Sequence, residues 1–358
     1  MKTISVLIPT YNEKDNIAAM VEACRSQIRE NLPGYRYEIV MIDNASTDGT
    51  REIEEKLCQE DPDVKAIFNA RNFGPFNSPY YGLLQTTGDC TIKIAADFQE
   101  PPELIPEMVH CWEEGYKLVA MQKTTSEESR FMYAIRSFYY KLLRKMSDIE
   151  MINQYTGFGL YDQSFIMFMR SLNDPTPFLR GIVAEYGYKM KVIQYGQKKR
   201  RTGKSHHNFM SLYDGAMLSM TSYTKIGLRI ATFIGFIVAV VSVVIGLVYL
   251  ILKLIFWDRF LAGQAPTMIG MFFLGAVILI FLGLMGEYVI SINKRLMNRP
   301  LVLEEERLNF SEAEYQKGQI GVPKTVGKIE PELVQAAAQR TDDSCTSTMK
   351  RLGQAEEK

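Results

Sequence analysis

The apolar positions change period along the chain, and the changes mark out elements. Ile4–Ile8 is an apolar run that stops at Pro9. Asn16–Glu30 then carries Ile17, Met20, Val21, Cys24 and Ile28 at helical spacing, which predicts an amphipathic helix. Tyr37–Ile42 predicts the next strand and Thr50–Gln59 the next helix. Val64–Phe68, Ser78–Thr86 and Thr91–Ala95 continue as strand, helix, strand. Pro101 and Pro102 open a further helix at its first turn, where a missing N–H costs little, and Lys117–Met121 predicts a fifth strand. This alternation predicts an α/β fold with a parallel-rich, Rossmann-like sheet and helices on both faces. Ligands of such sheets bind at the carboxyl ends of the strands.

Further along, the pattern changes character. Ser129–Leu143 is amphipathic and basic. His207–Met220 carries Phe209, Leu212, Ala216, Met217 and Met220 in a helical stripe, which suits an interfacial helix or a core helix of the preceding domain; both stay open. Ile230–Leu252 is 23 residues without a charge, and Phe260–Gly286 is 27 more. Each exceeds the ~20 apolar residues that cross a bilayer as a helix. The pair predicts an α-helical transmembrane hairpin; two buried core helices are the alternative. Lys225 and Arg229 before it, and Lys294, Arg295 and Arg299 after it, place both ends in the cytoplasm. The polar stretch after Pro300, with its acidic start at Glu304–Glu306, reads as a cytoplasmic, partly helical tail. The expected division is a catalytic domain at 1–206, an interfacial helix at 207–228, a hairpin at 229–292 with spans at about 230–252 and 268–290, and a tail at 293–358.

Composition changes this picture in two respects. Among 358 residues, 41 are Lys or Arg and 41 are Asp or Glu, so the cationic excess of a nucleic-acid binder is missing. The opening MKTISVLIPTYNE has no apolar core of signal-peptide length, and the scattered cysteines (Cys24, Cys58, Cys90, Cys111, Cys345) read as reduced thiols. A multi-pass protein of the inner (plasma) membrane, with its catalytic domain and both termini cytoplasmic, is expected.

Candidate chemistry lies at three strand ends. The first reads Pro9-Thr10-Tyr11-Asn12-Glu13, the second Asp43-Asn44-Ala45-Ser46-Thr47-Asp48-Gly49-Thr50, and the fourth Ala95-Ala96-Asp97-Phe98-Gln99-Glu100. An Asp there can accept hydrogen bonds from a base or ribose. An Asp with a Gln two residues on can offer oxygens to Mg2+ or Mn2+, which takes its other ligands from substrate phosphate and water. Each stretch alone is also ordinary turn punctuation.

The runs SVLIPTYNE, IDNASTDGT, ARNFG and AADFQEPPELI resemble the family 2 glycosyltransferases of the GT-A fold. The later RRTGKS and the two apolar spans resemble the polyprenyl-phosphate subgroup, the bacterial relatives of dolichol-phosphate mannose synthase. The resemblance implies that Pro9, Tyr11, Glu13, Asp43 and Ala96 bind the nucleotide. It implies that Asp97 and Gln99 hold Mg2+ or Mn2+. It places Lys123, Arg130, Arg136 and Arg200 at the acceptor phosphate, and Asp97, Arg136, Arg201 and Ser205 in catalysis. Arg suits phosphate because its planar fork binds bidentately. The 198–204 cluster KKRRTGK also suits anionic headgroups. The implied partners are a nucleotide-sugar donor, UDP-linked rather than GDP-linked, a polyprenyl (undecaprenyl) phosphate, the membrane, and further copies in a symmetric assembly such as a tetramer.

The chain departs from the family pattern where it has Asn44, Ala95 and Gly157 in place of acids. A lipid phosphate is largely a dianion at neutral pH, since its second ionisation lies near pH ~6 by analogy with phosphoserine. No proton has to be removed before it attacks, so a missing general base is tolerable. Asp162 is a possible stand-in acid. Three other functions remain: a non-lipid acceptor, a catalytically silent nucleotide-binding scaffold, and a processive synthase. The last needs a Gln-x-x-Arg-Trp signature, and neither Trp112 nor Trp257 follows an Arg.

Overall fold

The structure is a computed structural model that describes residues 1–125, 152, 154–185, 189–198, 217–218, 226–255, 264–297, 299–311 and 314. The first half follows the alternation read from the sequence. In order come β1 (Lys2–Thr10), α1 (Ile17–Asn31), β2 (Tyr35–Asp43), α2 (Thr50–Glu60), β3 (Val64–Asn69), α3 (Gly74–Gln85) and β4 (Cys90–Lys93). A 3-10 turn at Pro102–Leu104 leads into α4 (Ile105–Glu113) and β5 (Leu118–Thr125). Then follow β6 (Tyr155–Asp162), α5 (Gln163–Leu172), α6 (Leu179–Glu185), β7 (Met190–Gly196), α7 (Ile226–Ile255), α8 (Gln264–Leu296) and β8 (Glu304–Leu308).

The eight strands form one sheet in the order β7-β5-β6-β4-β1-β2-β3-β8. The pairs β1–β2, β1–β4, β2–β3 and β5–β7 are parallel; β4–β6, β5–β6 and β3–β8 are antiparallel. The sheet is therefore mixed and mainly parallel. Both faces are covered, so the central strands bury both sets of alternating side chains. Ile4, Val6, Ile8, Ile39 and Met41 pack with α1 and α4 on one face. Leu7, Val40 and Ile42 pack with Tyr80, Leu83, Phe165 and Ile166 of α3 and α5 on the other.

Three strands, β6, β7 and β8, lie where the sequence pattern predicts none. β6 enters between β4 and β5, and Asp162 at its end caps α5. Its carboxylate accepts from Ser164 N at 3.0 Å and from Trp112 Nε1 at 2.7 Å, and it pairs with Lys117 Nζ at 3.0 Å. Burial works against ionisation there, yet these donors hold Asp162 below the usual carboxylate range. That role replaces the stand-in catalytic acid.

β8 corrects the reading of a solvated tail start. Glu304–Leu308 pairs antiparallel with β3, placing Leu308 beside Ala66 and Arg307 beside Ile67. Asn309 Nδ2 donates to Cys58 O at 2.6 Å and Val64 O at 2.8 Å, and Arg51 pairs with Glu306 at 2.6 Å. Charged side chains are what an edge strand carries, because they block further pairing. α7 contains the stretch 230–252 and α8 the stretch 268–290. Among the described residues one helical segment, Phe273–Leu296, is long and apolar enough to cross a membrane, and none of its most apolar window is buried within the protein.

Candidate active site

Parallel pairing in register brings the carboxyl ends of β1, β2 and β4 to one edge of the sheet. Thr10 lies beside Asp43, and Leu7 beside Lys93. The loops after β1 and β2 are stapled together. Asn12 N donates to Ser46 Oγ at 2.8 Å, Thr47 N to Asn12 Oδ1 at 2.8 Å, and Glu13 N to Thr50 Oγ1 at 2.9 Å. Asn12 and Ala45 adopt left-handed φ values of 57° and 62° within this turn network. Glu13 accepts from Asn16 Nδ2 at 2.7 Å, so its side chain helps start α1.

Asp43 is buried and receives both Ser46 N, at 3.0 Å, and the Ser46 hydroxyl. Burial pushes its pKa up, and the Ser46 bonds oppose that only in part. Asp48 is opposite in sign. Burial raises it, but Thr50 and the Lys14 amide outweigh burial and hold it low. Beneath Asp43 lies Glu54, fully buried on α2, with neither carboxyl oxygen hydrogen-bonded; the Thr10 hydroxyl donates instead to Ile42 O at 3.2 Å. Burial first, and the Asp43 charge second, push Glu54 well above the usual range.

Asn44 accounts for its own departure from an acid. Its Nδ2 donates to Asn72 Oδ1 at 2.9 Å and to Gly74 O at 3.3 Å, while its Oδ1 accepts from Phe73 N at 2.9 Å. A carboxylate could make only the last of these contacts.

The β4 end is built from charge. Ala95 N donates to Glu100 Oε2 at 2.7 Å, and Thr156 Oγ1 to Glu100 Oε1 at 2.8 Å, so Glu100 is the buried hub of the turn. Burial raises Glu100, with the Lys93 charge pulling it back down. Asp97 is partly exposed and accepts from Gln99 N at 3.1 Å. Lys93, Glu100 and Thr156 were not among the residues expected at the site; their pairing across β4 and β6 has no local sequence signal. Gly157 on β6 has φ +93°, a left-handed conformation that disfavours any side chain.

Of the other expected residues, Pro9 and Tyr11 sit half-buried at the β1 end, and Ala96 is buried in the core, leaving only its backbone to face a ligand. Lys123 lies near the carboxyl end of β5, beside Tyr195 of β7. Arg130, Arg136, Arg200, Arg201 and Ser205 lie outside the described residues. The basic stretch nonetheless begins at the site's rim, where Lys198 Nζ meets Glu103 Oε1 at 2.9 Å in the 3-10 turn. Asp97 and Gln99 offer few oxygens to a divalent cation, short of a set that would hold one without the donor's phosphates. Ala95 contributes no oxygen, Glu100 is committed to Ala95 N and Thr156, and the Lys93 ammonium shares the same field. Among the described residues no three His, Cys, Asp or Glu side chains converge as metal ligands.

Comparison with known proteins gives the following. The model of glycosyl transferase family 2 matches residues 5–175. The chain is 31% identical over 305 residues to a bactoprenol glucosyl transferase of Shigella phage SfX, covering 85% of this chain and 99% of that protein. It is 30% identical over 287 residues to a prophage bactoprenol glucosyl transferase homolog of Escherichia coli, covering 80% and 93%. It is also similar, at 18% identity and a TM-score of 0.39, to glucosyl-3-phosphoglycerate synthase from Mycobacterium tuberculosis, crystallised with Mn2+, UDP and glucosyl-3-phosphoglycerate. That match covers 65% of this chain and 79% of the synthase.

Proposed function

The chain belongs to glycosyl transferase family 2 and is related to the bactoprenol glucosyl transferases, and from that premise we propose that it moves a sugar from a UDP-sugar to a polyprenyl phosphate at the cytoplasmic face of the inner membrane. One observation carries this reading. The strand that follows the apolar segment Phe273–Leu296 is hydrogen-bonded into the same sheet that presents Asp43 and Asp97. A donor site tied so closely to a membrane-crossing segment stays at headgroup depth, where a lipid phosphate sits; this is proximity supplied by topology.

In this reading an oxygen of the lipid phosphate bonds to the anomeric carbon as the bond to UDP breaks, and UDP leaves with the electron pair. One displacement inverts the anomeric centre. Asp43 accepts hydrogen bonds from the base, and Asp97 from the donor's hydroxyls. Arg136, Arg200 and Arg201 bring positive charge to the phosphates, and Lys123 serves the acceptor side. Further copies of the chain pack through the apolar helices.

The test is lipid extraction after incubating detergent-purified protein with labelled UDP-sugars and undecaprenyl phosphate. Labelled lipid is expected, and Asp97→Ala lowers it by about 100-fold or more, the scale of losing a transition-state contact. Transfer that is unchanged in Asp97→Ala overturns the site. Ala95 and Gly157 favour a second reading, a silent nucleotide-binding scaffold, which predicts UDP binding with no labelled product from any donor.

A further inference from the structure

Lys93 has no part in the chemistry described so far. It ends β4, in register with Leu7 of β1 and Gly159 of β6. Its neighbours Ile92 and Ile94 face the α1–α4 core, so Lys93 stands on the opposite face, the side of Leu7. From there the side chain runs toward the carboxyl edge of the sheet. Nζ lies 3.6 Å from the point that a Cβ on Gly157 would occupy. Burial pushes the Lys93 pKa down and the Arg180 charge adds to that, while Glu100 and Asp97 attract the ammonium and oppose it. The residue is only partly buried, and among the described residues no hydrogen bond uses its Nζ.

The two unusual positions here, Ala95 and Gly157, form a consistent set. An acid at 157 would sit against the ammonium and neutralise it, and one at 95 would add a second carboxylate beside Asp97. With Ala95 and Gly157, the cleft keeps a cation fixed to the sheet and lacks the oxygens that would recruit a soluble one. We propose that Lys93 binds the diphosphate of the nucleotide-sugar donor and supplies, from the protein itself, the positive charge that the leaving UDP requires. Lys93 acts as an ammonium facing the diphosphate's negative charge: its N–H groups donate to diphosphate oxygens as the bond to the anomeric carbon breaks, and no proton moves. The inference rests on the donor-site reading above.

Calorimetric binding of UDP, and of GDP in parallel, in EDTA and in Mn2+ tests both. Wild-type protein binds UDP in EDTA within about tenfold of its affinity in Mn2+. Lys93→Met weakens UDP in EDTA by about 10- to 100-fold, the scale of a lost charge-assisted hydrogen bond, and leaves uridine binding unchanged. Lys93→Arg retains most of the UDP affinity. Ala95→Asp, which leaves Lys93 in place, makes UDP binding depend on Mn2+. If EDTA abolishes wild-type UDP binding, or if Lys93→Met binds UDP as wild type does, the role of Lys93 is overturned while the donor site stands. If neither UDP nor GDP binds in any condition, the donor-site reading fails and this inference fails with it.

Discussion

The two halves of the candidate site solve the same problem in opposite ways. At the β1 and β2 ends, hydroxyls, amides and backbone N–H groups hold the loops: Ser46 on Asp43, Thr50 on Asp48, and Asn44 across the β3–α3 turn. At the β4 and β6 ends the turn closes around charge, with Glu100 buried between Ala95 N and Thr156 and with Lys93 in its field. Directional neutral bonds fix a loop's shape, which is what a flat, nearly uncharged base requires. A buried charge cluster costs desolvation, but it sets a potential, which is what a diphosphate requires. Asp43 and Asp48 are acids in the neutral half too, held by Ser46 and Thr50, whereas Glu54 is a buried acid with neither carboxyl oxygen hydrogen-bonded.

The largest expected effect breaks the charged half. Glu100→Leu leaves Ala95 N and the Thr156 hydroxyl without their acceptor and removes a charge that attracts Lys93, lowering stability by about 2–5 kcal/mol, at about 1–3 kcal/mol for each buried donor left unpaired. Denaturant unfolding in detergent measures it, and Lys93→Met on top of Glu100→Leu recovers part of the loss. No recovery would mean that the two charges do not interact.

Asn44→Asp probes the neutral half. It sets a carboxylate against Asn72 Oδ1 and Gly74 O and costs about 1–3 kcal/mol in the same measurement. Glu54→Met has a similar size and the opposite sign, because it removes a buried carboxyl without hydrogen bonds and gains about 1–3 kcal/mol at neutral pH. The pH dependence follows from the raised pKa. Above its ordinary value of 4.5 the unfolded chain releases this proton first, so native stability falls as pH rises from there toward the folded value. In Glu54→Met that decline is flatter. A gain that does not shrink as pH is lowered toward 4.5 would mean that Glu54 does not carry the raised pKa assigned to it.

The smallest effect lies on the rim. Lys198 and Glu103 are both largely exposed, so Lys198→Ala changes stability by less than about 1 kcal/mol. A larger loss would show that this pair is part of the charged half rather than its edge.

The first five strands and their helices are legible from the chain itself, because local period-2 and helical spacing report burial directly. So are the strand-end acids, because a parallel sheet puts its strand ends on one edge. β6 and β8 are not legible. Glu304–Leu308 looks solvated in isolation, and only the open edge of β3 makes it a strand. Asp162 reads as spare acid chemistry in the chain alone, but Trp112, Lys117 and Ser164 occupy it in the fold.

The sequence by itself determined the α/β alternation, the apolar C-terminal segments and the acids at 43 and 97, since each depends on residue type and short-range spacing. Tertiary structure alone decided which charges face one another. Lys93 meets Gly157, and Thr156 reaches Glu100, because β6 pairs antiparallel with β4, and Asn44 is an amide because a neighbouring loop brings it carbonyls as well as an N–H. Coulomb energy depends on separation in space, and the register of non-adjacent strands sets that separation.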